Sequence, residues 1–381
     1  MSMTQKSVAL LLERYDSRIH RGVAEYASRH HWHLDAHMAN NTIIPYGWKG
    51  NGIITALDRR ADLIKFVCNT RVPKVDVTIS RPEIRIPRII GDNDLIGRMA
   101  AEHFLERGLR NFAWYSGKKG NVEHLRAIAF ESILARHGFK CISLAARTSR
   151  SGNDWLSMRE SLGKLLTDIP KPVGVFAFND YDASSVIDAC NAFKMAVPDD
   201  VAVLGVDNNE LVCTCNSVPI SSINHDLERI GYRAAALLDQ LMNGGRAPLD
   251  SILIPPRGIT VRQSTDMMAI NNQTLRKTLT YLRNNFNRRF TIADIAEDVG
   301  VSKRTLENLF NKELQRSIHE EILRIRLNHA RDCLLNTKQR ITDIAARAGF
   351  CHPQHLNNSF REVYGLTPLR YRRKFSVTEQ V

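Results

Sequence analysis

Two stretches of the chain, residues 292–314 and 341–364, repeat one pattern: a short apolar helix face, a glycine and a second apolar face. Gly300 and Gly349 occupy the same place in this pattern and lie 49 residues apart. Two short helices joined by a tight turn that contains glycine form a helix-turn-helix. The sequence therefore predicts two helix-turn-helix units, near residues 292–314 and 341–364.

Each predicted unit has residues suited to the ends and the buried side of short helices. Thr291 can cap the first helix, with Asp294 as a weak capping-box partner, and Ser302 can cap the second helix. The predicted buried stripes are Leu306, Leu309 and Phe310 in the first unit and Leu356, Phe360 and Val363 in the second. Between the units, residues 318–336 are predicted to form one helix of about 28 Å, near the ~34 Å between successive major-groove faces on one side of DNA.

The second helix of each unit has polar side chains opposite its buried stripe. The candidates for DNA contact are Lys303, Arg304, Asn308 and Asn311 in the first unit and Gln354, His355, Asn358 and Arg361 in the second. In the major groove arginine pairs with guanine, and asparagine or glutamine pairs with adenine; cations at the helix edges bind phosphates. A solvated helix face is the alternative for a single unit, but the duplication favours DNA binding.

The positive charge is concentrated in the same region. The last 111 residues hold 20 Lys and Arg against 11 Asp and Glu, which is +9 of the net charge of +13. A basic domain on a nearly neutral body is typical of a protein with a polyanionic partner. A solvated basic surface is the alternative explanation of the charge taken alone.

The first 260 residues instead alternate short apolar runs with helical patterns. The predicted strands are 7–12, 51–55, 72–78, 88–91, 111–116, 174–179, 201–206 and 221–225, and the predicted helices are 17–29, 94–106, 124–136, 182–193 and 227–242. This alternation is typical of parallel sheets buried on both faces. So many strands predict two α/β lobes, with a ligand site at the carboxyl ends of the strands, in the cleft between the lobes.

The change of pattern along the chain defines three predicted segments. We predict a ligand-binding domain of two α/β lobes in residues 1–262 and a linker in residues 263–273, where no period is visible. An all-α, tandem helix-turn-helix DNA-binding domain is predicted in residues 274–381.

The C-terminal segment resembles the AraC/XylS family of transcription regulators. The matching stretches are IADIAEDVGVSKRTLENLFNKEL, RLNHARDCLL, ITDIAARAGF and FREVYGLTPLRYR, with Gly365, Thr367, Pro368, Tyr371 and Arg372 forming the family's characteristic ending. The resemblance implies two units that read adjacent major-groove segments, with Arg304, Asn308, Gln354 and Asn358 at base-facing positions. The chain departs from the family at residues 356–359 (LNNS), which implies fewer phosphate contacts by the second unit.

The α/β segment resembles the ligand-binding core of LacI-type repressors, which is similar to type I periplasmic binding proteins. The matching stretches are residues 91–117, 124–139, 174–211 and 221–242. The usual LacI-type DNA-binding headpiece is not seen, since Val8 already begins the first predicted strand. The resemblance implies a two-lobed sensor that forms homodimers.

Family motifs place four candidate ligand-binding residues: Asp207, Asn179 and Asp92 at the ends of strands, and Arg126 at the start of the helix after residues 111–117. Arg14 and Asp16 of the first strand–helix loop should also face the cleft. Carboxylates accept hydrogen bonds from hydroxyl groups, and Arg or Asn side chains donate them, as binding of a polyol requires. Tyr15 or Trp48 could cover an apolar sugar face. The alternatives are that Asp16 and Asp92 cap helices, that Arg126 makes a surface ion pair and that Trp48 belongs to the core.

The two parts together predict a cytoplasmic, sugar-responsive DNA-binding transcription regulator and not an enzyme. No GxSxG, Walker A or GxGxxG motif and no metal-ligand spacing occurs, so we expect no cofactor or metal. Seven cysteines without a pairing pattern are typical of a reducing compartment, and we interpret His30, His31 and His33 as solvated.

The combination of a LacI-type sensor with an AraC/XylS-type DNA-binding part resembles regulators of pentose catabolism. This resemblance implies an activator with D-xylose as effector, and with double-stranded DNA, RNA polymerase and a second copy as partners. The alternatives are a repressor, or a regulator that responds to another sugar such as a deoxyhexose, to a purine or to another small polar ligand.

Overall fold

The computed structural model of the protein describes residues 5–117, 120–145, 155–266, 273–288, 290–314 and 316–375. The chain forms two compact units. One unit comprises Met1–Arg98, Ser116–Ser132 and Asn224–Pro256, and the other comprises Met99–Tyr115, Ile133–Ile223 and Arg257–Val381. The α/β region therefore contributes to both units, whereas all of the C-terminal helices belong to the second.

The α/β region has the alternating order that the sequence predicts. Its strands are β1 (Ser7–Leu12), β2 (His33–Asp35), β3 (Gly52–Ala56), β4 (Lys74–Asp76), β5 (Ile89–Gly91), β6 (Asn111–Tyr115), β7 (Cys141–Leu144), β8 (Val173–Ala177), β9 (Val201–Val206), β10 (Ser221–Asn224), β11 (Ile252–Ile254) and β12 (Gly258–Thr260). Its helices are α1 (Ser17–Arg29), α2 (Met38–Asn41), α3 (Ala61–Asn69), α4 (Asn93–Glu106), α5 (Asn121–Arg136), α6 (Trp155–Thr167), α7 (Asp180–Ala192), α8 (Glu210–Thr214) and α9 (Leu227–Met242).

The eight predicted strands and five predicted helices are confirmed, with ends that differ by no more than three residues. Four strands and four helices are additional to the prediction: β2, β7, β11, β12, α2, α3, α6 and α8. These additional strands have only three or four residues, and an apolar run of that length gives little signal.

The first unit contains a parallel sheet in the order β2-β1-β3-β4 and a parallel pair of β5 and β11. Helices α1 and α9 pack closely beside it. A Cβ atom on Gly22 would overlap the carbonyl oxygen of Glu228, and one on Gly231 would overlap that of Ile19. This close approach places the apolar faces of both helices over Val8, Leu10 and neighbouring strand residues.

The second unit contains a six-stranded sheet in the order β12-β10-β9-β8-β6-β7. The pairs β10–β9, β9–β8, β8–β6 and β6–β7 are parallel. Strands β8 and β9 are buried along their whole length, as expected for central strands covered by helices on both faces. Their carboxyl ends, which precede Asn179 and Asp207, therefore lie side by side at one edge of the sheet.

The first residues of the predicted linker pack against this second sheet. Gln263–Thr265 form a short 3-10 helix. The buried Ser264 hydroxyl donates to the carbonyl oxygen of Val203 at 2.6 Å and accepts from the Ser221 amide at 2.8 Å. Most of the remaining predicted linker, residues 267–272, lies outside the described residues.

The C-terminal region is helical, as predicted. Its helices are α10 (Gln273–Asn285), α11 (Ile292–Asp298), α12 (Lys303–Leu314), α13 (Ile318–Asn336), α14 (Ile341–Arg347), α15 (Pro353–Tyr364) and α16 (Pro368–Phe375). Two separate apolar clusters support them. The first cluster joins α10, α11, α12 and the start of α13, and the second joins the rest of α13 with α14, α15 and α16.

Among the described residues, no helix is both long enough and apolar enough to cross a membrane.

Candidate DNA-binding surface and sensor residues

The first helix-turn-helix unit consists of α11 and α12. The Thr291 hydroxyl accepts from the Asp294 amide at 3.2 Å, and the Asp294 carboxylate accepts from the Thr291 amide at 2.7 Å, so the predicted capping box is confirmed. Gly300 makes the turn with φ +72°, a conformation that glycine adopts at little cost. Ser302 then caps α12 by accepting from the Thr305 amide at 3.1 Å.

Helix α12 separates a buried stripe from an exposed polar face. Leu306, Phe310 and Leu314 are buried in the first C-terminal cluster, and Leu309 is half-buried. The four predicted DNA-contact residues of this unit, Lys303, Arg304, Asn308 and Asn311, are all exposed. The last three are spaced by four and three residues, which places them on one face of the helix, away from the core.

The second unit repeats this arrangement with α14 and α15. Gly349 makes the turn with φ +81°, and Pro353 occupies the first turn of α15, where a missing N–H costs nothing. The four predicted DNA-contact residues, Gln354, His355, Asn358 and Arg361, are exposed. The Gln354 side-chain amide donates to Asn358 Oδ1 at 3.1 Å, so these two predicted contact residues support each other.

The prediction that Val363 is buried is wrong: 56% of its surface is exposed. Ser359 takes part in the buried stripe of α15 together with Leu356 and Phe360. Aromatic rings fill the core at this end of the helix, because Phe360 lies 4.4 Å from Tyr364 and 5.2 Å from Tyr371, measured between ring centroids. Val363 therefore has no place in the core.

Two sensor candidates lie in the compact unit that contains the six-stranded sheet, where they follow the adjacent strands β8 and β9. Asn179 is the N-cap of α7, and its Oδ1 accepts from the Asp182 amide at 2.8 Å. Asp207 has φ +99° and its amide donates to the Ile223 carbonyl at 2.9 Å. Both side chains are half-buried. The sheet thus brings together the two residues that the sequence places at these strand ends.

Asp180, which the sequence analysis did not single out, holds the loop after β9. Only 1% of its surface is exposed. Its Oδ1 accepts from the Ser222 hydroxyl at 2.5 Å and its Oδ2 from the Asn209 amide at 2.7 Å. Burial, with a smaller contribution from the negative charge of Asp207, raises the pKa of Asp180 to about 7. A carboxylate directly after an N-cap resembles an ordinary helix-start residue, which is why sequence reasoning missed it.

Arg126 and Asp92 are the main sensor candidates of the other compact unit, which contains the four-stranded sheet. Arg126 is 2% exposed, which excludes a surface ion pair. Its Nε donates to Asn93 Oδ1 at 2.9 Å, and its Nη2 lies 3.3 Å from His225 Nδ1. Asp92 accepts from the Leu95 amide at 2.9 Å, which is the helix-capping alternative. Burial raises the pKa of Asp92.

Arg14 and Asp16 are engaged with other charged side chains. Asp16 caps α1 through the Arg18 amide at 2.9 Å and also forms an ion pair with the Arg18 guanidinium at 2.7 Å. Arg14 forms an ion pair with Asp58 at 2.6 Å. Nearby, Tyr15 is exposed, whereas Trp48 packs against an apolar cluster of the first unit, as expected for a core residue.

Within the second unit, ion pairs join the α/β part to the DNA-binding helices. Arg110, which follows α4, lies 3.0 Å from the carboxylate of Glu313 in the last turn of α12. Glu106 at the end of α4 pairs with Arg324 of α13. Arg324 also contacts the buried Glu321 at 2.7 Å. The end of α4 and the loop before β6 therefore contact α12 and α13 through charged side chains.

Comparisons with known proteins match both parts of the chain. Residues 101–265 match a periplasmic binding protein-like domain, and residues 295–374 match a helix-turn-helix domain. The xylose operon regulatory protein of Escherichia coli is 28% identical, with 94% of each chain covered. That of Haemophilus influenzae is 27% identical, covering 94% of this chain and 95% of the relative.

Solved structures give the same result. The structure of the xylose-binding transcription activator XylR matches with a TM-score of 0.60 and 27% identity, covering 99% of this chain and all of the other. A transcriptional regulator CelR–cellobiose complex matches with a TM-score of 0.56 and 21% identity over 68% of this chain and 85% of the other, which supports the fold of the sensor alone. The chain is a DNA-binding transcription regulator that joins a periplasmic-binding-protein-like α/β sensor to a tandem helix-turn-helix domain, which is similar to that of AraC-type regulators.

Proposed function

We propose that this regulator binds a pentose, with D-xylose as its effector, and activates the genes of pentose catabolism in response. The chain is a sugar-responsive regulator whose similarity to the xylose operon regulatory proteins extends over 94% of its length. That full-length similarity, together with two exposed recognition faces in tandem, is the observation that carries the proposal. A repressor, or a response to another small polar ligand, is the alternative.

The proposed sugar-binding residues are three that directly follow strands or lie two residues beyond them, and Arg126, which lies within α5. Carboxylates, amides and guanidinium groups hydrogen-bond to hydroxyl groups. The second compact unit provides Asp207 and Asn179, and the first compact unit provides Arg126 and Asp92. Arg126 is held in place by Asn93, and the loop of Asp207 is held by Asp180 through Asn209. Arg14 and Asp16 contribute less, because their charges are already paired with Asp58 and Arg18.

The proposed DNA contacts are the eight exposed residues of α12 and α15. Lys303 and Arg361 suit phosphates, while Arg304, Asn308, Asn311, Gln354, His355 and Asn358 suit base edges. Two recognition helices in one chain read two successive major-groove segments.

The ion pairs between the α/β part and the DNA-binding helices support a route for regulation. A sugar shifts the protein between two states only if it binds them with different affinity. We propose that the movement of the second sheet that accompanies sugar binding is carried by Arg110–Glu313 and Glu106–Arg324 to α12 and α13. Such coupling between sites typically amounts to ~1–3 kcal/mol.

The proposed partners beyond sugar and DNA are a second copy of the chain and RNA polymerase. The homodimer is proposed from the resemblance to LacI-type cores, and Leu125 and Ile128 of α5, which are 40% and 48% exposed, are candidates for its interface. We propose that the protein acts in the cytoplasm, where its DNA is found, and that it catalyses no reaction.

Calorimetric titration of the full-length protein with pentoses, hexoses, deoxyhexoses and purines tests the effector. We expect heat of binding from D-xylose, and loss of that heat in Asp207→Ala but not in Asp250→Ala, which changes an exposed acid of the same charge. Binding of another sugar in place of D-xylose would change the proposed pathway. Binding of none of these ligands would contradict the proposed sensor.

A further inference from the structure

The two helix-turn-helix units have separate apolar cores, and α13 belongs to both. Ile318, Ile322 and Ile325 pack in the first cluster, whereas Leu323, Leu327 and Ala330 pack in the second. A shared helix sets the distance between two bodies, but side-chain contacts are needed to fix their rotation about it. A polar junction beside α13 supplies such contacts.

Arg326 of α13 forms one side of this junction. Its Nε donates to the Phe286 carbonyl oxygen at 2.9 Å, and its Nη2 donates to the Arg288 carbonyl oxygen at 3.2 Å. Both carbonyls follow the end of α10, where backbone oxygens lack helical partners and the helix dipole favours a cation. Burial lowers the pKa of Arg326, and hydrogen bonds in such a partly desolvated place are stronger than in water.

Gly349, the turn residue of the second unit, forms the other side. A Cβ atom at this position would overlap the Phe286 carbonyl oxygen and lie 2.9 Å from Nε of Arg326. The turn of the second helix-turn-helix unit thus lies directly against the end of α10, which packs in the apolar cluster of the first helix-turn-helix unit. The ring of Phe286 also packs on His329 of α13, with 4.8 Å between ring centroids.

We propose that Arg326, Gly349 and the end of α10 form a junction that fixes the spacing and rotation of the two recognition helices. Arg326 is then a positioning residue for DNA selectivity, acting through α12 and α15 without touching bases. The inference rests on DNA binding by both units. It goes beyond that function because it assigns the preferred spacing of the two DNA segments to three backbone-directed contacts.

The reason is geometric. One inserted base pair moves the second segment by about 3.4 Å and rotates it by about 34° relative to the first. A rigid pair of helices cannot follow this change and loses contacts. A loosened pair follows it more easily but has lost preorganisation, so it binds the original spacing less tightly.

Binding of DNA with altered spacing tests the junction. A site is selected by the full-length wild-type protein from random duplexes, and one base pair is then inserted between the two protected segments. We expect the wild-type affinity to fall about tenfold, the size of a typical mismatch penalty. We expect Arg326→Met to bind the original site more weakly and to lose less than threefold on the insertion. Gly349→Ala alters the other side of the junction and should also change the ratio of the affinities for the original and the inserted site.

Lys277→Met, which removes an exposed positive charge from α10, is the matched control and should keep the tenfold ratio. Arg326→Lys retains the charge without the planar fork of donors and decides the question by the same ratio if Arg326→Met fails to fold. An unchanged tenfold ratio in a folded Arg326 variant would overturn the junction while leaving DNA binding intact. Failure of the wild type to select any DNA would instead refute DNA binding itself and the inference with it.

Discussion

The two helix-turn-helix units share one plan but differ in chemistry and in connection. The recognition helix of the first unit begins with Lys303 and Arg304, whereas that of the second presents the coupled amides of Gln354 and Asn358. The α/β part contacts the first unit through Glu313, and the second unit joins the first at Gly349. The duplication teaches that one backbone pattern can carry different side chains and connections: cations and an ion pair to the α/β part in the first unit, and two coupled amides in the second.

The largest expected effect comes from breaking each core separately. Leu306→Ala and Leu356→Ala remove fully buried side chains from different clusters, and each should cost about 2–5 kcal/mol. Hydrogen exchange of the full-length protein should show loss of protection within the altered unit and retained protection in the other. Equal loss in both units for either variant would show that they share one cooperative core.

The sequence predicts helix caps, turns and helix bounds well, because these features depend on residues close together in the chain. The capping box at Thr291, the turns at Gly300 and Gly349 and the bounds of α13 all depend on neighbouring residues, and all are confirmed. Val363 was misplaced because the competing rings of Tyr364 and Tyr371 reach Phe360 only in three dimensions.

Other features could not be predicted because they depend on partners distant in sequence. Asp180 is held by Ser222, 42 residues away, and Arg326 binds the Phe286 carbonyl, 40 residues away. Strand β7 was missed because Ile142 and Ser143 at its centre are exposed, as on an edge strand. The ligand candidates could be placed at strand ends, but their existing partners, such as Arg18 for Asp16, required the structure.

The sensor input to the first unit should be removable. Glu106→Gln combined with Arg110→Gln removes the charges that face Arg324 and Glu313. Because coupling free energies are typically ~1–3 kcal/mol, we expect the change of DNA affinity caused by sugar to shrink by that amount while calorimetric sugar binding remains. Arg98→Gln, which removes an exposed ion pair within α4, should leave the response unchanged. A full sugar response in the double variant would contradict this route.

The difference in recognition chemistry should appear as base specificity. Arg304→Ala should weaken binding to the selected site by ~1–3 kcal/mol with a smaller loss on random DNA, and Asn358→Ala should relax selectivity at an adenine in the other segment. Because Lys303 is proposed to contact phosphate, Lys303→Ala should weaken binding to the selected and the random DNA equally. Competition binding with selected and random duplexes measures these losses. A uniform loss for Arg304→Ala would reassign it to phosphate.

The smallest expected effect compares the helix starts of the two units. Thr291→Ala removes a capping box and should cost about 1 kcal/mol of unfolding free energy. Arg340, at the N-cap of α14, makes no capping hydrogen bond through its side chain, so Arg340→Ala should change stability little. Chemical denaturation of both variants checks this difference, and equal losses would remove the capping box as a distinguishing feature.

The central claim is that sugar binding in the α/β part controls DNA binding by the tandem units. Its most direct test is the affinity of the full-length protein for its selected DNA, measured by fluorescence anisotropy with and without D-xylose. The account predicts that D-xylose changes the wild-type Kd. Asp207→Ala should keep the sugar-free Kd but lose the change of Kd that D-xylose causes. Asp207→Asn should do the same, and asparagine suits the positive φ at this position better than alanine does. A wild-type Kd that is the same with and without D-xylose, in a protein that binds this sugar, would contradict the account.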